Sequence, residues 1–141
     1  MNEATDKEFE EYTRLHSRYI QQIRFYEERM DELTPYELSR MEYLYTKLEQ
    51  VAWQIAGWYK KRAKYHEGMA EIAQGQHYRK EREKSSATDA QHYSRIAKGT
   101  QLKIAGQYEG DFITWRGIAG TYARTATAAQ TYHQEKTGFD F

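Results

Sequence analysis

The sequence of 141 residues contains no cysteine and only one proline. Without cysteine the chain forms no disulfide and offers no thiolate as a nucleophile or metal ligand, as is common in a reducing compartment. It also lacks an apolar run long enough to cross a bilayer and an apolar leader behind a charged start. We therefore expect a cytoplasmic protein with no membrane partner.

Aliphatic residues are also scarce, since the hydrophobic fraction is 39% and the mean hydropathy is −1.03. Aromatic residues, in contrast, make up 15% of the chain and include 13 tyrosines. Disordered chains are poor in aromatic residues, so this composition predicts a folded protein whose core draws heavily on tyrosine. A thin, elongated or assembled fold would explain why so few aliphatic residues are present.

The two signs of charge are separated along the chain, although the formal net charge is zero. Residues 1–50 contain 12 Asp and Glu against 7 Lys and Arg, whereas residues 51–141 contain 9 against 14. A dipolar molecule of this kind presents its basic part to an anionic partner, or it pairs acidic and basic segments of neighbouring copies. The sequence leaves both alternatives open.

The single proline marks the start of a helix. In the segment "LTPYEL", Thr34 is placed as the N-cap, Pro35 as the first helical residue and Glu37 as the third, which together form a capping box. Upstream of it, apolar residues recur at alternating spacings of three and four. This pattern predicts an N-terminal helix over about residues 5–33.

Two further stripes with the same alternation follow. The first runs from Met41 to Ile72 and the second from Ala105 to Ala129, with "EKSSATDAQ" as a polar turn between them. Heptad spacing sustained over several turns is typical of coiled coils. We therefore predict an all-α fold, a long antiparallel helical hairpin (coiled-coil-like) with an additional N-terminal helix. The predicted single domain, residues 1–141, contains helix 1 at about 5–33, helix 2 at about 35–84, helix 3 at about 88–135 and a tail at 136–141.

The nine glycines are costly for a helical protein, because each costs roughly 1 kcal/mol relative to alanine inside a helix. Three pairs are seven residues apart: Gly68 and Gly75, Gly99 and Gly106, and Gly110 and Gly117. Heptad spacing places each pair on one stripe, where a missing side chain lets another helix approach closely. Close packing within the hairpin is the favoured interpretation. The alternative is a face toward another subunit or a ligand backbone.

Sequence motifs of catalytic and metal sites are absent. The chain contains no P-loop, no G-x-G-x-x-G, no G-x-S-x-G and no H-E-x-x-H. Asp89 and His92 are three residues apart, but a carboxylate at the start of a helix is first of all a cap, and Ser86, Thr88 or Asp89 is expected to cap helix 3. We expect a protein that is not an enzyme and that uses no metal or cofactor.

The stretch "WYKKRAKYH", residues 58–66, mixes aromatic and basic residues. Trp58 and Tyr65 lie on the apolar stripe and are expected in the core, whereas Lys60 and Lys64 point elsewhere. Taken alone, the stretch fits either a groove for single-stranded nucleic acid or an ordinary helix with one buried face. Its neighbours across the predicted hairpin favour the first interpretation.

Basic residues cluster on both predicted helices near the turn, and no acidic residue lies between Gln91 and Tyr108 on helix 3. Cations that follow a phosphate backbone, combined with aromatic rings that stack on bases, produce sequence-independent single-strand binding. The alternative is a solvated coiled-coil face carrying ion pairs between turns. The candidate nucleic-acid-binding residues are Tyr59, Lys60, Lys61, Arg62, Lys64, His77, Tyr78, Arg79, Lys80, Arg82, Lys84, Arg95, Lys98 and Lys103.

A second cluster, "GDFITWRGIAGTYART", combines an aromatic stripe with small residues that leave room for another helix. This pattern favours an interface helix through which copies of the chain associate, and the alternative is the core of the hairpin itself. The candidate oligomer-interface residues are Phe112, Trp115, Gly117, Ala119, Gly120, Tyr122 and Ala126.

Residues 40–135 resemble, in helix pattern and size, the small helical recombination mediators of tailed phages, the UvsY type. The order of elements carries the resemblance: a short acidic N-terminus, a long helix ending in basic residues, a polar turn and the helix "YEGDFITWRGIAGTYARTATAAQTYHQ". It implies a phage protein of the host cytoplasm that forms a homo-oligomer through its C-terminal helices. It also implies that Lys60, Lys61, Arg62, Lys64 and the 79–84 cluster contact the DNA backbone while the protein assists a RecA-like recombinase. The acidic helix 1 and the "FDF" end depart from that type and leave the recombinase contact unassigned.

Two functions are consistent with these features. The first is a non-enzymatic, oligomeric accessory protein that binds single-stranded DNA and loads or assists a recombinase in phage-type recombination or replication. The alternative is a structural or interaction protein, such as a virion assembly component, a scaffold or a coiled-coil adaptor, that binds no nucleic acid.

Overall fold

The computed structural model of the protein describes residues 3–138. In this range α1 spans Glu3–Glu27, a short 3-10 helix spans Met30–Glu32, α2 spans Pro35–Arg82 and α3 spans Ala87–Thr137. The long helices α2 and α3 pack against each other as a helical hairpin. The predicted all-α class is therefore confirmed. α3 continues into the segment predicted as a tail, and the "FDF" end lies outside the described residues.

Both helix starts that were predicted from capping residues are confirmed by hydrogen bonds. The backbone N–H of Glu37 donates to Thr34 Oγ1 over 3.2 Å, and the Thr34 N–H donates to the Glu37 carboxylate over 3.3 Å. At the start of α3, the Asp89 N–H donates to Ser86 Oγ over 3.2 Å, so Ser86 is the N-cap among the three candidates. Each cap satisfies a backbone donor that has no partner within its helix.

The chain divides into two compact units of opposite charge. The basic unit, Gly57–Phe112, contains the parts of α2 and α3 next to the turn and carries 11 Lys and Arg against 7 Asp and Glu. The acidic unit consists of the residues up to Ala56 and from Ile113 onward, with 10 against 14. The charge separation along the sequence is thus also a separation between packed units, with formal net charges of +4 and −4.

Within the acidic unit, α1 packs on α2 and α3 around a core of large side chains. Leu38, Leu44 and Leu48 of α2 are 0% exposed, and Ile23 of α1 and Ala129 of α3 belong to the same cluster. Burying a leucine side chain completely contributes about 1.5–3 kcal/mol, so this core holds the three helices together. α1 therefore folds on its own chain, a question that the sequence alone leaves open.

Helix 1 is shorter than predicted. α1 ends at Glu27, and the chain then passes through the 3-10 turn to Leu33, whose backbone is extended and whose side chain is 4% exposed. Leu33 continues the apolar periodicity of α1, which is why the sequence pattern extends the helix too far. The chain must reverse before α2, and the extended residue makes this possible while its side chain stays in the core.

In the basic unit, α2 and α3 meet through small residues. Ala63 and Ala70 of α2 are 0% exposed, as is Ala90 of α3, and the facing residues Ser94 and Ala105 are buried at 2% and 4%. Small side chains at heptad spacing let two helix backbones approach closely. We call this set of five residues the alanine seam.

The alanine seam corrects the core predicted for this part of α2. Trp58 is buried, as predicted, but Tyr65 is 42% exposed, so its placement in the core is wrong. Ile72, at the end of the same apolar stripe, is 52% exposed. Tyr65 and Ile72 lie five and two residues from Ala70, which at about 100° per residue places them on the side of α2 that faces away from the alanine seam. The basic unit contains parts of only two helices.

The prediction that the heptad-spaced glycines pack closely within the hairpin is also wrong. A Cβ atom built at Gly68, Gly75, Gly99, Gly106 or Gly110 meets no heavy atom within 4 Å. The same holds for Gly117. Alanine residues permit the close approach between α2 and α3 in the basic unit, and these glycines face open space.

Candidate nucleic-acid interface

Two of the predicted DNA-binding lysines form ion pairs across the hairpin of the basic unit. Lys60 Nζ on α2 lies 3.0 Å from the Glu109 carboxylate on α3. Lys98 Nζ on α3 lies 2.9 Å from Glu71 Oε1 on α2. Half-exposed pairs of this kind contribute little to stability, but they neutralise two of the cations that the sequence assigns to phosphate contacts.

An aromatic cluster in the basic unit contains Trp58, Arg62 and His66. The Arg62 guanidinium lies 4.7 Å from the centre of the Trp58 ring, which itself contacts Tyr108. His66 stacks on Tyr108 with ring centres 5.5 Å apart, and its Nδ1 lies 2.9 Å from Gln101 Oε1. These rings pack against each other instead of presenting open faces.

Tyr59 belongs to the same cluster. Its ring lies 5.2 Å from Trp58 and 6.3 Å from Tyr108, centre to centre. Burial raises the pKa of its hydroxyl, with a further contribution from the Asp111 carboxylate. Tyr59 is half-buried beside two other rings, so it is a weaker candidate for stacking than the sequence pattern indicates.

Six of the predicted cations are exposed and lie away from the turn: Lys61, Lys64, Arg79, Lys80, Arg95 and Lys103. No ion pair joins any of the six to another residue within 3–138. The two remaining cations belong to the turn, where Arg82 donates to the Ser85 carbonyl over 3.1 Å and Lys84 lies 3.6 Å from Glu81. The six exposed cations are therefore the best candidates for binding phosphate groups.

His77 and Tyr78 do not form one stacking platform. His77 is exposed and lines a cavity of about 430 Å³ together with Tyr93 and Ala97. Tyr78 is half-buried and lines a different cavity, together with Gln91. Successive helical residues point about 100° apart, so these two rings project toward different sides of α2.

The predicted oligomer-interface helix is largely occupied by contacts within the chain. In the acidic unit, His16 of α1 packs edge-on against Trp115 (5.2 Å) and its Nε2 lies 2.7 Å from the Tyr122 hydroxyl. Ala119 is 0% exposed, and Ala126 packs on the core of the unit. Any association through this helix must therefore use what α1 leaves uncovered.

The other members of that predicted set are placed differently. Phe112, at the end of the basic unit, is half-buried beneath the Lys60 ammonium, which lies 5.0 Å from its ring centre. Gly117 is exposed, and a Cβ atom on Gly120 would lie 3.6 Å from an Arg124 guanidinium nitrogen. These positions do not form a single surface with the buried Ala119.

The contact of His16 with α3 was not predicted from the sequence. It lies on the apolar stripe of α1, and burial lowers the pKa of its imidazole. The sequence signal was its place on that stripe, but the partner on α3 follows from the tertiary packing. His133 of α3 makes a comparable contact, with Nδ1 2.7 Å from Glu42 Oε1 of α2.

Lowering the pH is expected to weaken the attachment of α1 through His16. Because burial lowers the pKa of His16 in the folded state, the unfolded chain binds this proton more readily. The contribution of His16 is therefore complete above its ordinary value of 6.5 and is lost as the pH falls below it. Urea unfolding of the wild type and of His16→Gln above and below this pH tests the effect. An equal pH dependence of the two proteins would assign it to other groups.

Two findings restrict the chemistry of the described residues. No group of three or more His, Asp and Glu side chains within residues 3–138 is placed to hold a metal ion. In the same range, no helix is both long enough and apolar enough to cross a membrane.

Comparison of the chain with protein-family models, with curated proteins and with solved structures gives no match. The surface of the basic unit is therefore the main indication of function.

Proposed function

We propose that the protein is a non-enzymatic, oligomeric accessory protein that binds single-stranded DNA through its basic unit. The observation that carries this proposal is the set of six exposed cations on a unit with a formal net charge of +4. Cations without an anionic partner are available to replace the counterions of a phosphate backbone. Most of the aromatic rings are packed together, so the proposal depends on phosphate contacts more than on base stacking.

In this proposal the protein acts in phage-type recombination or replication, where it would load or assist a RecA-like recombinase. This part depends on the resemblance in helix pattern to the UvsY-type mediators. The presence of a helical hairpin with a basic turn end supports it. The acidic unit, with its formal net charge of −4, is the part that remains available to a protein partner once the basic unit holds DNA.

Neutralising three exposed cations should weaken DNA binding and reduce its dependence on salt. The variant Lys61→Gln/Lys64→Gln/Arg79→Gln removes about three phosphate contacts, so the slope of log K against log salt should fall by about 2. The affinity at low salt should fall about tenfold or more. Fluorescence anisotropy of a labelled oligothymidylate, titrated at several salt concentrations, measures both quantities.

The acidic unit offers a matched control. Lys7→Gln/Arg18→Gln/Arg24→Gln removes the same charge from three exposed cations of α1 and should leave the slope unchanged. An equal loss in both variants would show that only the overall charge matters. Absence of salt-dependent binding by the wild type would also overturn the proposal.

A structural or interaction role without nucleic acid is the second candidate, and one observation favours it. Large apolar side chains of the basic unit, including Ile72, Tyr93 and Ile96, are at least half exposed. Exposed apolar residues of this size are typical of surfaces that bind protein. Native mass measurements with and without DNA distinguish the candidates, because this role requires a defined oligomer that does not bind DNA.

A further inference from the structure

The acidic unit contains a cavity of about 360 Å³ beside its core. Three parts of the chain line it: Glu27 and Met30 at the end of α1 and in the 3-10 turn, Met41 and Tyr45 on α2, and Thr125, Ala128, Ala129 and Tyr132 on α3. The space is open where α1 ends at Glu27 and where α3 contributes three short side chains. Its volume lies in the range of small-molecule sites, about 300–1,000 Å³.

Most of the cavity wall is apolar. Met41 is 2% exposed and Ala129 is 5% exposed, and both Tyr45 and Tyr132 belong to the same core or pack against it. Methionine side chains adapt to the shape of a ligand, and the faces of aromatic rings attract apolar groups and cations. The wall therefore suits the apolar part of a small molecule.

Three hydroxyl groups line the cavity, and each of them already donates its hydrogen within the chain. The Tyr45 hydroxyl donates to the Glu27 carboxylate, and the Tyr132 hydroxyl donates to the Met30 carbonyl over 3.2 Å. Thr125 donates to a carbonyl of its own helix, one turn earlier, over 2.8 Å. These side chains keep only the capacity to accept hydrogen bonds, at the hydroxyl oxygens and at the carboxylate. A polar ligand must therefore supply the donors.

The charge at the cavity is that of one carboxylate. Of the described residues that line the cavity, Glu27 alone carries a formal charge. Burial raises the pKa of the Tyr45 hydroxyl, as does its hydrogen bond to Glu27, so the proton stays on the tyrosine and the negative charge stays on the carboxylate. No ion pair joins Glu27 to a cation within residues 3–138. The cavity is thus complementary to a positive charge.

Three basic residues lie one helical turn from the cavity wall. Arg124 donates to a hydroxyl of its own helix over 3.1 Å, and Arg24 is exposed. Lys136 donates to the Asp31 carbonyl over 2.8 Å, and its ammonium group lies 5.8 Å from the centre of the Tyr132 ring. A carbonyl oxygen and an aromatic ring therefore already hold one ammonium group of the chain beside the cavity. The cavity itself offers the same kinds of partner and a carboxylate in addition.

We propose that this cavity binds a small primary amine that carries an aromatic or branched aliphatic group. Such an amine is protonated at neutral pH, as the lysine side chain is. Its three N–H groups supply the donors that the cavity lacks, and its charge pairs with Glu27, while the apolar group packs against the wall. The site belongs to the acidic unit and holds whether or not the basic unit binds DNA.

Titration of the full chain with phenethylamine tests the proposal, with the backbone amide signals of the NMR spectrum as the readout. A dissociation constant in the millimolar range or below is expected for so small a ligand. Phenethyl alcohol has the same ring and linker without the charge and should bind at least about tenfold more weakly, because a hydrogen bond between charged groups is lost. Phenylpropionate, which has the same ring and linker with a negative charge, should not bind.

Glu27→Gln keeps an oxygen that accepts from Tyr45 but removes the charge. It should raise the dissociation constant of phenethylamine at least about tenfold and leave that of phenethyl alcohol unchanged. Glu28→Gln is the matched control, because Glu28 is an exposed carboxylate on the next residue and does not line the cavity. This control should bind both probes like the wild type.

Ala128→Leu is a second, independent variant, since its larger side chain occupies part of the cavity. Ala128 is exposed, so the chain should still fold, which far-UV circular dichroism checks. Binding of phenethylamine and of phenethyl alcohol should weaken together in this variant.

A wild type that does not bind phenethylamine at millimolar concentrations would overturn the proposal. Equal binding of phenethylamine and phenylpropionate would overturn it as well, as would equal effects of Glu27→Gln and Glu28→Gln. Unchanged binding by a folded Ala128→Leu would assign the amine to another surface. None of these results would affect the titration of the basic unit with oligonucleotide.

Discussion

Replacing Gly68, Gly75, Gly99, Gly106 and Gly110 together with alanine should raise the free energy of unfolding by about 4–5 kcal/mol. All five lie inside α2 or α3, where glycine costs roughly 1 kcal/mol relative to alanine. The added methyl groups meet nothing within 4 Å, so no packing penalty offsets the gain. Urea unfolding followed by circular dichroism measures the difference.

Gly138 provides a control, because its replacement with alanine should change the unfolding free energy in the opposite direction. Its φ is +75°, a conformation that costs an alanine about 1–2 kcal/mol, so Gly138→Ala should lose stability. A fivefold variant less stable than the wild type would show that the glycine stripes do contact something, as the alternative interpretation of their spacing holds. A stabilised variant with weakened DNA binding would indicate that a nucleic-acid backbone approaches them.

Leu44→Ala should cost about 3–5 kcal/mol of unfolding free energy, the range found when a fully buried leucine leaves a cavity that does not collapse. Leu44 is 0% exposed and belongs to the α2 segment enclosed by α1 and α3. The same urea titration measures the loss. Because three helices surround this core, the cavity has rigid walls on every side.

Leu102→Ala is the matched control for this substitution. Leu102 is 43% exposed, so removing its side chain should cost less than about 1 kcal/mol. Both proteins should be compared at one low concentration, so that association contributes equally. Similar losses at the two positions would contradict the assignment of the stable core to the acidic unit.

The helix starts were predictable because they depend on a few adjacent residues. The capping box of Thr34 and Glu37 and the N-cap Ser86 are local in sequence, and both are confirmed by backbone hydrogen bonds. The hairpin followed in the same way from two long apolar stripes joined by a polar turn. The end of α1 was missed because Leu33 keeps the helical period while its backbone is extended.

The candidate site was only partly predictable. Exposure of cations such as Lys61 and Arg79 follows from their position off the apolar stripe. Their counterparts Lys60 and Lys98 are paired with Glu109 and Glu71. Those pairs depend on the register of α3 against α2. The apolar periodicity of a single helix carries no information on that register.

The sequence by itself determined the helical elements, the turn between the long helices and the separation of charge, since each is a property of local pattern or composition. The tertiary structure alone decided which of the two stripes on α2 is buried in the basic unit. In the basic unit α2 and α3 close around Ala63 and Ala70 and leave Tyr65 and Ile72 exposed, because residues two and five positions from Ala70 lie on the opposite side of α2.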